Sequence, residues 1–193
     1  YHYSICSLQL TNGDMVYQYK NYYGVVFPFI EGIPPGPSDL TCHEIGSALA
    51  TLHSLKHDSF QLGQLRKHEE VGYGPQEILH YVNSQNCPDD FKEAFELFFP
   101  DKLESFFHAH FEKGVIHGDL YYDNTLFDQN HLKVVLDFEQ AGIGEYIFDL
   151  GISISGTCLE KSRVILPLVE SFITGYEKVR PLPKKEREFL YDS

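Results

Sequence analysis

His117-Gly118-Asp119-Leu120-Tyr121-Tyr122-Asp123-Asn124, with Asp137 thirteen residues past Asn124, is the stretch on which the reading turns. It places His, Asp and Asn in an H-x-D-x-x-x-x-N arrangement just after the apolar run Val115-Ile116. Asp137 closes a second apolar run, Val134-Val135-Leu136. Moving a phosphoryl group onto a hydroxyl needs one carboxylate to receive or orient the hydroxyl proton. It also needs oxygen ligands that hold magnesium against the phosphates. Magnesium takes few carboxylates plus phosphate and water, and one Asp with one Asn amide oxygen meets that demand. A lone Asp is usually a cap or turn residue. Four such groups at this spacing, on matching elements, point to catalysis.

Working outward, 125–128 and 133–136 read as a hairpin around Gln129-Asn130-His131. A loop with Gly142 and Gly144 follows Asp137, then helices over 146–155 and 160–179, with a new helix from Lys184. Upstream, residues 3–30 read as β: 3–10, 15–20 and 24–30, with Asn12-Gly13 as a tight-turn signal. The near-continuous apolar run Val25-Val26-Phe27-Pro28-Phe29-Ile30 predicts a buried strand. Three prolines and two glycines in residues 31–38 make a connector rather than an element. A helix over 42–56 follows, opened by a capping box at Thr41 and Glu44 and carrying Ile45, Ala48, Leu49 and Leu52 at helical spacing. His53 and His57 near its end suit the negative end of the helix dipole. Residues 58–74 read as a polar loop. Helices are expected over 75–85 and 89–113, the second broken at Pro100 and capped by Gly114. The stripe Phe91, Phe95, Phe98, Phe99, Leu103, Phe106, Phe107 and Phe111 reads as core packing. The fold class is therefore α+β. A sheet region over 1–31 precedes a mostly helical region over 32–193.

The 193 residues carry 28 acidic against 15 basic side chains, a formal net charge of −13. Such a surface repels nucleic-acid phosphates and anionic membranes, so neither is an expected partner. The four cysteines form no C-x-x-C and no zinc spacing with His, which suits reduced thiols in a cytoplasmic protein. No apolar run reaches membrane-helix length. The first residues read as mid-sheet and the last as a helix just begun, so the chain is expected to be an internal piece of a longer protein.

The motif resembles the catalytic loop of the aminoglycoside phosphotransferase and choline kinase superfamily, a branch of the protein-kinase-like bilobal fold. Within it the chain is most similar to the homoserine kinase branch. That narrower resemblance rests on Val25 to Gly32, on Glu44-Ile45-Gly46-x-Ala48-Leu49-Ala50-x-Leu52-His53 and on Gly114 to Asp119. Phe148-Asp149-Leu150-Gly151-Ile152 and Arg180-Pro181-Leu182 add to it. The resemblance implies ATP and Mg2+, with Asp119 as catalytic base and His117 bracing the loop. Asn124 and Asp137 would bind the metal, and Asp149 would tie the loop down from behind. Leu126 and Leu136 would line the adenine pocket. Phe27, Pro28 and Ile30 would form the hinge, the Pro28 carbonyl and Ile30 N–H pairing with adenine. Residues 1–31 would then be the end of the N-lobe sheet and hinge, and 32–193 the catalytic C-lobe.

Phe138-Glu139 follows Asp137 where protein kinases carry Phe-Gly, which favours a metabolite substrate over a protein. Glu139, with Glu145, is a candidate contact for an acceptor's ammonium group, though a plain surface role suits it equally; Asp123, beside Asn124, is a candidate substrate contact or third metal-proximal acid, with a loop-stabilising role favoured. There is no glycine-rich phosphate loop and no strand Lys paired with a helix Glu. Those parts are expected upstream of Tyr1. The expected acceptor is a small-molecule alcohol, L-homoserine first, giving O-phosphohomoserine and ADP. The rivals are an aminoglycoside, choline-like or sugar acceptor, and a non-catalytic remnant of the fold.

Overall fold

The computed structural model describes residues 3–55, 75–99 and 109–192. In chain order these form β1 (Tyr17–Tyr19), β2 (Tyr22–Gly24), α1 (Asp39–His53), α2 (Pro75–Val82), α3 (Asp89–Phe98) and β3 (Lys113–Ile116). There follow β4 (Thr125–Asp128), β5 (His131–Val135), β6 (Gly142–Glu145) and α4 (Tyr146–Thr157). The chain ends with β7 (Leu159–Glu160), β8 (Arg163–Val164), α5 (Leu166–Glu177) and α6 (Lys184–Asp192). The strands pair antiparallel as β1–β2, β3–β6, β4–β5 and β7–β8. The class is α+β. Among the described residues no helix is long and apolar enough to cross a membrane.

The core lies between α1 and α5. Ile45, Leu49, Phe172 and Tyr176 are fully buried there, with Leu120, Val135 and Leu150 from the neighbouring elements. Each such side chain contributes roughly 1.5–3 kcal/mol. Two glycines let the helix backbones touch. A Cβ at Gly46 would lie 2.1 Å from the Phe172 carbonyl oxygen, and one at Gly175 2.0 Å from the His43 carbonyl oxygen. Ser38, not Thr41, caps α1: its Oγ accepts the Thr41 N–H at 3.2 Å, so the helix begins three residues earlier than the capping box suggests.

Several expectations are corrected. The run 24–30 is not a buried strand: β2 ends at Gly24, Val25, Val26 and Phe27 are exposed, and Phe29 is 92% exposed. Leu8 N–H to the Val26 carbonyl, 2.7 Å, gives it a backbone partner, but among the described residues no helix packs over it. Residues 3–10 form no strand, and 15–20 shortens to β1. The connector over 31–38 is anchored, because Ile33 and Phe127 exchange backbone hydrogen bonds of 3.0 and 2.9 Å.

Gly114 caps no helix. Residues 109–112 are not helical, and Gly114 sits in β3 opposite Gly144. α2 stops at Val82, and the 160–179 helix starts only at Leu166, because β7 and β8 turn the chain first. Among the described side chains of the aromatic stripe, Phe111 is the one that is buried. Phe91, Leu97 and Phe99 on and beside α3 are exposed, and among the described residues α3 packs chiefly on the short α2. Pro100, Leu103, Phe106, Phe107, His57 and the 58–74 loop lie outside the described residues.

Candidate active site

β3 is held by β6 along its whole length, Lys113 facing Glu145 and Ile116 facing Gly142, and delivers the chain into the 117–124 loop. Gly118 makes the first bend at φ +81, with the Gln140 carbonyl oxygen 2.6 Å from where a Cβ would stand. Only glycine suits both the left-handed backbone and that approach. The loop closes with a 3-10 turn, Tyr122–Asn124, before β4.

Asp149, in the first turn of α4, is wholly buried behind the loop. Its Oδ2 accepts the His117 N–H and its Oδ1 the Gly118 N–H, both at 2.8 Å, and His53 Nε2 donates to Oδ2 at 2.9 Å. Burial alone would raise the carboxyl's pKa. The His53 donor and the two amides outweigh it and hold Asp149 below its ordinary value, as an anion.

His117 is also fully buried. Nδ1 accepts the Asp119 N–H at 3.3 Å and Nε2 bonds the Leu136 carbonyl at 2.8 Å. An accepting Nδ1 and a carbonyl at Nε2 define a neutral ring with its proton on Nε2. The ring lies 4.6 Å from that of Phe138. His117 thus ties Asp119 to Leu136, the residue between β5 and Asp137.

Asn124 donates through Nδ2 to the Asp119 carbonyl at 2.7 Å and lies 3.4 Å from its Oδ2. These bonds use the amide nitrogen and leave Oδ1, the end a hard cation takes, outside them. The Asn124 carbonyl accepts the Leu136 N–H at 2.8 Å. Asp137 follows at φ 57 and ψ 65, a left-handed conformation held by its own side chain, which caps the 3-10 turn Phe138–Gln140 at the Glu139 N–H. Strained non-glycine backbone of this kind gathers at functional sites. Asp119, Asn124 and Asp137 are therefore drawn together through Leu136. Among the described residues no group of three His, Cys, Asp or Glu gathers for a metal. An exposed carboxylate with a neighbouring amide oxygen nonetheless fits magnesium, whose remaining ligands are phosphate and water.

The adenine-side residues are less tightly assembled. Leu126 and Leu136 are half-buried at the β4–β5 hairpin, and Gly32 packs where a Cβ would lie 2.9 Å from Leu126 Cβ. Pro28 and Ile30 are half-buried and Phe27 is exposed. The Ile33–Phe127 bridge and Lys133 Nζ on the Glu31 carbonyl, 3.1 Å, lead this run onto the hairpin. Asp123 and Glu139 are exposed carboxylates, and the Glu139 N–H donates to Asp137 Oδ1.

The sequence reading missed a group behind the loop. His53 Nδ1 bonds Tyr176 Oη at 2.7 Å, and Arg180 Nη1 donates to Tyr176 Oη at 2.9 Å. A signal existed for His53, which falls four and eight residues after Leu49 and Ile45 on the buried face of α1. Nothing local marks Tyr176 as its partner.

The phosphotransferase enzyme family matches residues 7–182. The homoserine kinase of Beijerinckia indica is 29% identical over 172 residues, 86% of this chain and 52% of that protein. The homoserine kinase of Agrobacterium fabrum is 26% identical over 193 residues, 96% of this chain and 58% of that protein. The chain thus spans about half the length of these curated relatives. Among solved structures, an aminoglycoside phosphotransferase from Alicyclobacillus acidocaldarius superposes with a TM-score of 0.67 at 16% identity, over 97% of this chain and 62% of that one. Amicoumacin kinase in complex with AMP-PNP, Ca2+ and Ami does so at 0.65 and 15%, over 98% and 64%. At such identities the likeness establishes the fold, which is protein-kinase-like.

Proposed function

The chain belongs to the phosphotransferase enzyme family, and we propose that it carries the catalytic lobe of a kinase that moves the γ-phosphoryl group of ATP to a small-molecule alcohol. The observation that carries this reading is the 2.7 Å bond from Asn124 Nδ2 to the Asp119 carbonyl, with Leu136 N–H on the Asn124 carbonyl. One candidate base and two candidate metal ligands thereby share one small neighbourhood.

In the proposed reaction the acceptor oxygen attacks the γ-phosphorus in line, and the bond from that phosphorus to the β–γ bridging oxygen breaks. The electron pair leaves with ADP, and the acceptor's proton passes to Asp119. Bound magnesium would neutralise charge on the phosphates. Asn124 Oδ1 and the Asp137 carboxylate would hold it. His117 fixes the Asp119 amide and so aims its side chain, while Asp149 holds the start of the loop. Leu126, Leu136, Phe27, Pro28 and Ile30 would border the adenine, residues 1–31 serving as sheet and hinge to a lobe over 32–193. Glu139 and Asp123 would receive an acceptor's ammonium group.

L-Homoserine is the proposed acceptor, supported by relatives named homoserine kinase that align over most of this chain. A cytoplasmic site for this activity is part of the proposal, supported by its dependence on ATP and by the free thiols of Cys42 and Cys158. The test is ADP release by the full-length protein with Mg-ATP and a panel of L-homoserine, choline, an aminoglycoside and a sugar. Release with homoserine alone is expected. Release with another acceptor instead would overturn the substrate, and none with any acceptor would overturn the kinase.

A further inference from the structure

Behind Asp149 the hydrogen bonds continue in one direction. Arg180 can only donate, so Tyr176 Oη accepts from Nη1 at 2.9 Å. The phenol O–H is then left to donate onward to His53 Nδ1 at 2.7 Å. That fixes the His53 proton on Nε2, where it meets Asp149 Oδ2 at 2.9 Å. Asp149 in turn receives the His117 and Gly118 amides. No other assignment of protons satisfies every member, and such chains strengthen their own links.

The far end is anchored as firmly. The Arg180 side chain is 11% exposed, pairs with Glu112 and lies 3.5 Å from Glu186 Oε2. Its guanidinium sits 4.5 Å over the Tyr146 ring, and Tyr146 stacks on His53 at 4.3 Å. Glu186 also accepts the Glu112 N–H at 3.2 Å. Five segments of the chain therefore converge around one phenol and one imidazole: α1, α4, α5 with Arg180 after it, α6 and the approach to β3.

We propose that Tyr176 and His53 are positioning residues for the 117–124 loop, acting through Asp149, with Arg180 setting the direction of the hydrogen bonds. The inference rests on the site reading above. Neither residue touches a reacting atom. Their part is to hold one orientation of the Asp149 carboxylate, and so one placement of the amides before Asp119. The role calls for a neutral group that both donates and accepts at position 53, not for a cation.

The test uses Tyr176→Phe, His53→Gln and His53→Leu in the full-length protein. It reads kcat and KM for ATP, and amide hydrogen exchange at His117 and Gly118 against Gly13 in the remote turn. Tyr176→Phe is expected to lower kcat about tenfold with KM for ATP changed less than about twofold. It should speed exchange at His117 and Gly118 about tenfold and leave Gly13 unchanged. His53→Gln can donate through Nε2 and accept through Oε1, so it should retain kcat within about threefold, while His53→Leu should not. Unchanged exchange and kcat in Tyr176→Phe, or a Gln variant as impaired as Leu, would overturn the proposal. If His53→Leu fails to fold, the Phe and Gln variants still decide it. If the wild-type protein transfers no phosphate, the kinase reading fails, and exchange at His117 and Gly118 decides the relay by itself.

Discussion

The Leu136 amide donates to the Asn124 carbonyl at 2.8 Å, so the segment that leads from β5 to Asp137 and the turn that ends at Asn124 share a rung. It ties the backbone of one proposed metal ligand to the residue just before the other, which lies thirteen positions later in the sequence. Different failures are therefore expected from the two aspartates. Asp119→Asn in the full-length protein should lower kcat by about 10²–10⁴-fold, the range for losing a general base, and leave nucleotide binding largely intact. Asp137→Ala should instead weaken magnesium-dependent binding of a nonhydrolysable ATP analogue. Calorimetric titration beside steady-state kinetics separates them, and full activity in either variant removes the role given to that residue.

Asp149 is a buried anion with three donors on it. Asp149→Ala would leave two backbone amides and the His53 N–H without an acceptor in the interior. Each buried donor left without a partner costs about 1–3 kcal/mol. Urea unfolding should show that loss as a lower midpoint with an unchanged slope. A change below about 1 kcal/mol would mean that water replaces the carboxylate.

Gly118→Ala meets two penalties at once, a left-handed backbone and a Cβ 2.6 Å from the Gln140 carbonyl. Strain of this kind costs of order 1–3 kcal/mol. The expected result is a destabilised protein with turnover reduced further than the lost stability explains, because the bend sets where Asp119 begins. Gly36→Ala is the control, since open space surrounds that position.

Acid should unfold the protein earlier than its carboxylates alone dictate. Burial holds His53 below its usual pKa, against the pull of Asp149, and nearby Arg180 lowers it further. The unfolded chain binds this proton near pH 6.5, about the ordinary histidine value, whereas the folded protein refuses it. The contribution is therefore complete above that pH and is lost as pH falls below it toward the folded value. Asp149, lowered as well, extends the loss beneath its ordinary value of 3.8. At the other extreme, burial raises the Tyr176 phenol, so stability should fall above about pH 10 as the unfolded tyrosine ionises. Urea midpoints followed from pH 8 to pH 4 should decline less steeply in His53→Gln. Parallel curves would show that His53 is not the group responsible.

The thiols offer a test of the core. Cys42 and Cys158 are wholly buried with sulfurs 3.9 Å apart, while Cys6 is exposed. A thiol reagent should label Cys6 at once and the buried pair only on unfolding. Rapid native labelling of Cys42 would mean that the α1 packing opens.

Much of the architecture could be read from the chain because it is local. The β4–β5 hairpin and the helix from Lys184 follow from periodicity and turn residues, and the spacing of His117, Asp119 and Asn124 fits one loop and one 3-10 turn. Readings that assumed a covering layer went wrong. Val25 to Ile30 and the Phe91–Phe99 face have the composition of buried elements, yet burial depends on what packs over them, which composition does not state. Gly114 was mistaken for a cap because a glycine after a helical pattern and a glycine facing Gly144 across a ladder look alike in sequence. The chain from Arg180 to Asp149 was invisible for another reason. Its key bond joins residues 123 positions apart, and neither His53 nor Tyr176 has a neighbour that announces the other.

Gly175 immediately precedes Tyr176, and Gly46 lies two turns before His53 on the opposing helix. Where α1 and α5 meet there is no side chain to trim or regrow at these two points, so the joint has no clearance to adjust. The reach between imidazole and phenol is inherited from that seam. A single methyl group added at either glycine would be transmitted, through parts that never meet a ligand, to the place where Asp119 stands.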